Sequence, residues 1–175
     1  SVEEDGKSSS QLIPTEGTIS VLYEDEDLIV VNKPEGILVH PSGGHYQDTL
    51  ANLLMGYFKK KGEVPVLRSI GRLDKDTTGL LLLTDDGSLA HRLLSPKQHV
   101  AKVYLAQVEG QVTQEDVRAL AQGMVLGDGV RCLPAGLEPL GDGSSCLVTL
   151  HEGKYHQVKR MFGAVGLGVI HLHRV

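Results

Sequence analysis

Four charged side chains crowd into five residues, Arg72, Asp74, Lys75 and Asp76, within the stretch GRLDKDTTGLLLLTDDG that runs from Gly71 to Gly87. Two carboxylates flanking a sugar bond are what a glycosidase needs. At a spacing of two in an extended segment they point the same way, and like charges that close repel unless one is engaged elsewhere. Asp76 is followed by Thr77, Thr78 and Gly79. It is therefore expected to stabilise a turn by accepting backbone N–H groups. Asp74 is left as the acid free for chemistry. The plainer alternative is a charged surface loop leading into a strand.

The elements around this stretch decide where it sits. The leucine run after it, bounded by turn residues, reads as a buried strand that holds Asp74 near the mouth of the core. Upstream, Ile19–Tyr23 and Leu28–Asn32 read as neighbouring strands joined by the acidic turn Glu24-Asp25-Glu26-Asp27. Asn32-Lys33-Pro34-Glu35-Gly36 then makes a defined turn, with Lys33 facing either a phosphate or solvent. The loop His40-Pro41-Ser42-Gly43-Gly44-His45 has glycines but neither the GxGxxG nor the Walker spacing. From Asp48, taken as the cap, Leu50, Leu53, Leu54, Tyr57 and Phe58 mark an amphipathic helix closed by Lys59, Lys60 and Lys61.

Downstream, Asp86 is expected to cap a helix with Leu89, Ala90, Leu93 and Leu94 inward, stopping near Ser95-Pro96. Lys102–Val108 alternates as a strand with Lys102 and Tyr104 on one face. Thr113 and Asp116 open a helix that turns Val117, Leu120, Ala121 and Met124 to the core. Residues 127–145 read as a hairpin with loops, and Cys146–Leu150 as a strand. In the final helix Val158, Met161, Phe162 and Val165 form one stripe, and His156, Lys159 and Arg160 gather opposite as a solvated or phosphate-binding face. His171 and His173 share a strand face, yet no Asp, Glu or Cys nearby completes a convincing zinc set.

GRLDKDTTGLLLLT resembles the active-site motif of the RsuA/RluA-type pseudouridine synthases, which isomerise selected uridines in structured RNA. Further matches follow in the family's order. VLYEDEDLIVVNKPEGILVHP resembles its entry strand and N-K-P-x-G turn, Lys102-Val103-Tyr104 its K-x-Y element, GKYHQVKRM its signature helix and His173-Arg174 its L-H-R strand. The resemblance implies an α+β fold, with a mixed, largely antiparallel sheet, packed helices and a central catalytic cleft over residues 18–175. It implies Asp74 as the essential aspartate, Tyr104 as the aromatic that stacks on the target base and is the candidate for removing its ring proton, and Lys159 as the cation paired with Asp74. Such a cation favours the ionised carboxylate. Arg72, Lys33, Lys102, His156 and Arg160 are implied as RNA contacts. The family needs no metal or cofactor. RNA, ribosomal RNA foremost, is the implied partner of a cytoplasmic monomer. GRLDKDTTGLLLLTDDG with EGKYHQVKRMF leans to the RsuA branch, whereas the HPSGG loop is closer to the RluA branch. The other readings are a noncatalytic RNA-binding module on the same scaffold and a carboxylate-pair glycoside hydrolase.

Composition sets bounds on all of this. A chain of 175 residues fits one domain of ordinary size. No apolar run approaches a membrane span, and no basic-then-apolar signal opens the chain, so an intracellular protein is expected. Residues 1–17, rich in Ser, Glu and Gly, read as a flexible leader. The net charge of −5 is unevenly placed: residues 1–30 hold eight acids and one base, and the rest sixteen bases and fourteen acids. An RNA-binding surface must then be local. Cys132 and Cys146 have no metal-ligand spacing and read as buried thiols. The chain starts at Ser1 and stops at Val175, where the family continues through another strand, so a piece of a longer protein is expected.

Overall fold

The computed structural model describes residues 12–95, 98 and 100–175. They fall into two compact units, one reaching to Lys75 and including Leu81–Arg92, the other comprising Asp76–Leu80 and Leu93–Val175.

In the first unit β1 (Ser20–Glu24) and β2 (Leu28–Lys33) pair antiparallel across the acidic turn. Asp25 holds that turn by accepting the N–H groups of Asp27 and Leu28. Helix α1 (Leu50–Lys61) follows. Its cap is Thr49, in a reciprocal box with Asn52, one residue later than the sequence suggested. Asp48 is instead engaged by His45. The buried stripe is Leu50, Ala51, Leu54, Met55 and Phe58, while Leu53 and Tyr57 lie at its margin. β3 (Arg68–Ile70) pairs antiparallel with the end of β4 (Thr78–Thr84), which also neighbours β2. Leu81 and Leu83 are wholly buried and Leu82 only partly, so one face of the leucine run is core. Asp86 caps α2 (Gly87–Leu94) by accepting from Ser88 and Leu89. Leu94, expected inward, is exposed, and Pro96 lies outside the described residues.

Of the leader expected over residues 1–17, residues 1–11 lie outside the described residues. The remainder runs along α1. Thr15 donates its N–H to the Asn52 carbonyl and its hydroxyl to the Gln47 carbonyl, and Asn52 Nδ2 donates to the Ile13 carbonyl. Gly56 permits that approach, because a Cβ there would meet the Thr15 oxygen at 2.1 Å.

The second unit is built on β5 (Lys102–Val108), flanked antiparallel by β9 (Ser145–Leu150) and β10 (Val169–Arg174). Beyond β9 lies β8 (Gly136–Leu140), and beyond β10 the start of β4, the latter in parallel. Ala106, Val108, Cys146, Val148 and Leu172 form the buried side. Thr113 and Asp116 box the start of α3 (Gln114–Ala121), as the spacing predicted, but only Leu120 is fully buried, and Met124 belongs to the short ribbon of β6 (Met124–Val125) and β7 (Arg131–Cys132). Helix α4 (Gln157–Ala164) buries Val158, Met161 and Phe162. Mixed strand pairing with packed helices is the α+β class expected. Both cysteines are buried thiols, and burial pushes Cys146 up to about 11. No helix among the described residues is long and apolar enough to cross a membrane.

Candidate active site

In the first unit the loop after β3 carries Arg72 exposed, Leu73 buried and Asp74 half-buried. Leu73 anchors the loop from below and lets its neighbours face outward. The backbone is gripped one residue further on. Lys33 donates its ammonium to the carbonyls of Pro34 (2.9 Å) and Lys75 (3.0 Å), and the Gly36 N–H adds a second bond to the Lys75 carbonyl.

Lys33 is thus not an RNA-facing residue. It is fully buried, and its charge is satisfied inside. Strand period carried the signal: Lys33 follows Ile29 and Val31 on the inward face of β2. Lys75 itself is exposed and within 3.4 Å of His45 Nε2, the imidazole that also engages Asp48.

In the second unit Asp76 accepts the ammonium of Lys159 from α4. That contact first, and the Asp76 backbone N–H in smaller measure, hold its carboxyl below the usual aspartate range against a partial burial that works the other way. The sequence reading gave Asp76 to the turn and matched Lys159 with Asp74. The cation is found on Asp76 instead, because a side chain in the first turn of α4 reaches the acid two residues before β4. Arg160, expected on RNA, pairs with Asp128 and donates to the Tyr155 carbonyl. His156, the N-cap of α4, contributes charge that also favours ionised Asp76.

Tyr104 lies on the same face of β5 as Lys102, as the alternation predicted, and is 8% exposed. Directly across stand Arg174 on β10 and Val148 on β9. Arg174 is buried too. The sequence matched it to a family strand without giving it a role. Lys102 is pushed below the usual lysine range, by burial first and by the Arg174 charge second, with Glu152 opposing. This face therefore offers a recessed phenol beside two cations. His171 and His173, weighed as zinc ligands, both approach the Thr78 hydroxyl, at 3.4 and 2.7 Å.

Residues 27–164 match the family described as RNA pseudouridylate synthase. The chain is 41% identical over 156 residues to the "Uncharacterized RNA pseudouridine synthase YtzG" of Bacillus subtilis, covering 87% of this chain and 63% of that one. It is 41% identical over 180 residues to a "Ribosomal small subunit pseudouridine synthase A" of Haemophilus influenzae, covering 96% and 72%. The same-named protein of Vibrio cholerae is 41% identical over 147 residues, covering 83% and 61%. The chain thus spans about 60–70% of these relatives' length. Among solved structures, one titled "Crystal structure of pseudouridylate synthase" superposes with a TM-score of 0.69 at 41% identity, over 87% of this chain and 63% of that one. "Human RNA Pseudouridylate Synthase Domain Containing 1", at a TM-score of 0.64 and 22% identity over 90% and 76%, shares the fold. With a family match across most of its residues and relatives this similar, the chain belongs to the RNA pseudouridylate synthase family, of the RsuA/RluA type.

Proposed function

We propose that this protein converts specific uridines of structured RNA, ribosomal RNA foremost, into pseudouridine, with Asp74 as the essential catalytic residue. The observation that carries the reading is the R-L-D loop in a chain of this family: Asp74 is half-buried beside the anchored Leu73, and the backbone one residue on is clamped by buried Lys33. Two relatives named as ribosomal small subunit pseudouridine synthases support ribosomal RNA.

In this reading the target uridine is turned out of its stack, which costs a few kcal/mol of unstacking. Asp74 assists cleavage of the N1–C1′ bond at the ribose. The freed uracil rotates and bonds to C1′ through C5. The C5 proton then leaves, with the Tyr104 oxygen as its candidate acceptor, and N1 gains a proton. No atom is added or lost, so no cofactor is needed to balance the step. Lys159 serves as a positioning residue, holding Asp76 two residues along the chain from Asp74. Arg72, exposed beside Leu73, meets RNA phosphate or fills the space the base leaves. Lys102 adds charge near Tyr104.

Mapping pseudouridine across total RNA from cells with and without the gene tests this directly. One or a few positions lost on deletion support the reading, and an unchanged map contradicts it. A carboxylate-pair hydrolase would depend on Asp76 as much as on Asp74. Comparing Asp76→Asn with Asp74→Asn on RNA separates the two classes.

A further inference from the structure

At the start of α4 the rings of Tyr155 and His156 are stacked, with centroids 3.8 Å apart and planes 19° from parallel. Consecutive side chains do not face one another in a helix or a strand. The stack exists because His156 adopts a left-handed backbone conformation, φ 48° and ψ 36°, the one positive φ among the described non-glycine residues. For a side chain with a Cβ that conformation costs roughly 1–2 kcal/mol, and His156 recovers none of it through a side-chain cap on α4.

The strain is held in place by a braced backbone. Arg160 Nη1 donates to the Tyr155 carbonyl at 3.2 Å while its other nitrogen pairs with Asp128. The Lys154 N–H donates to Gln157 Oε1 at 2.9 Å, and Gln157 Nε2 donates to Glu152 at 2.7 Å. What this bracing presents is Tyr155, 74% exposed, with one ring face covered by the imidazole and the other left to solvent. Its hydroxyl makes no hydrogen bond among the described residues, so the ring is not displayed in order to place that group.

We propose that the outer face of Tyr155 is a stacking platform for an unpaired nucleobase of the RNA substrate other than the target uridine. The proposal rests on the RNA reading above. An ordered flat ring open on one face, held by Arg160 through the Tyr155 carbonyl, offers the stacking surface that single-stranded nucleic acid uses, since every base has a π-face to offer. A single ring is too small an apolar surface to anchor a protein partner. The imidazole stacked under Tyr155 also favours ionised Asp76.

The test compares the full chain with its Tyr155→Phe and Tyr155→Leu variants, each binding a single-stranded oligouridylate that carries one 2-aminopurine. Thermal midpoints confirm that the exposed substitutions leave the fold intact. Tyr155→Leu is expected to weaken binding about fivefold to a hundredfold and to abolish quenching of the 2-aminopurine, with the salt dependence of the remaining binding unaltered because no phosphate contact is lost. Tyr155→Phe retains both affinity and quenching. Equal affinity and quenching in Tyr155→Leu, loss in Tyr155→Phe as large as in Tyr155→Leu, or no binding of the probe by the parent chain would each overturn the platform. Turnover by the parent chain is measured separately, so binding without isomerisation would sink the enzymatic reading and leave the platform standing.

Discussion

Lys159 of α4 holds the carboxylate of Asp76, the second acid of the R-L-D-K-D loop. Because the pair holds Asp76 below its ordinary range, the stability it adds is fully present above the ordinary aspartate value and is lost as pH falls through the depressed folded value. Lys159→Met should remove that part of the acid limb, so that parent and variant converge at low pH. At neutral pH the cost should be small, about 0.2–1 kcal/mol, since both groups keep access to water. Urea unfolding across a pH series measures both.

Replacing Lys33 should do more damage than its place in a turn suggests. Lys33→Met keeps the length and the buried stem but takes the ammonium donor from the Pro34 carbonyl and one of two donors from the Lys75 carbonyl. A hydrogen bond from a charged donor contributes about 1.5–3 kcal/mol. The expected result is a lowered thermal midpoint together with faster amide exchange at Gly36, whose N–H shares the Lys75 carbonyl. Unchanged exchange there would separate Lys33 from the loop.

Gly79 fixes how β4 meets β10. Its φ is +112°, and a Cβ would stand 2.1 Å from the Arg174 oxygen and 2.6 Å from its nitrogen, both backbone atoms that have no room to yield. Gly79→Ala should therefore cost about 3 kcal/mol or more through strain and clash combined. A variant as stable as the parent in chemical unfolding would show that the parallel pairing of His173 and Arg174 with Thr78 and Gly79 is not held as described.

Lys102 is half-buried near a second cation, and both effects disfavour its charge. Lys102→Met should leave stability at neutral pH unchanged or raised. If Lys102 meets phosphate, the same change should lower the slope of log affinity against log salt by about 1. A slope that stays put while affinity falls would point to a packing role beneath Tyr104.

Elements were legible in the sequence wherever one period dominated. Lys102–Val108 alternates cleanly and is β5 over those residues; the leucine run is β4; Val158, Met161 and Phe162 are the buried stripe of α4. The candidate site was legible as residue types but not as partners. Lys33 looked like a turn lysine because its inward register shows only once Ile29 and Val31 are seen buried beside it. Asp76 looked like a turn acid because an ion pair across 83 residues of chain leaves no local trace. Thr49 took the cap from Asp48 because a capping box needs its partner three residues on, and Asn52 serves Thr49. The left-handed step at His156 has no sequence signal at all, since neither Gly nor Asn marks it.

The central claim is that Asp74 carries the reaction, and tritium release from RNA labelled at uracil C5 measures it most directly. The account predicts that Asp74→Asn binds the RNA nearly as the parent does and releases no tritium, while Asp76→Asn retains turnover. Appreciable release by Asp74→Asn, with its binding intact, would contradict the account.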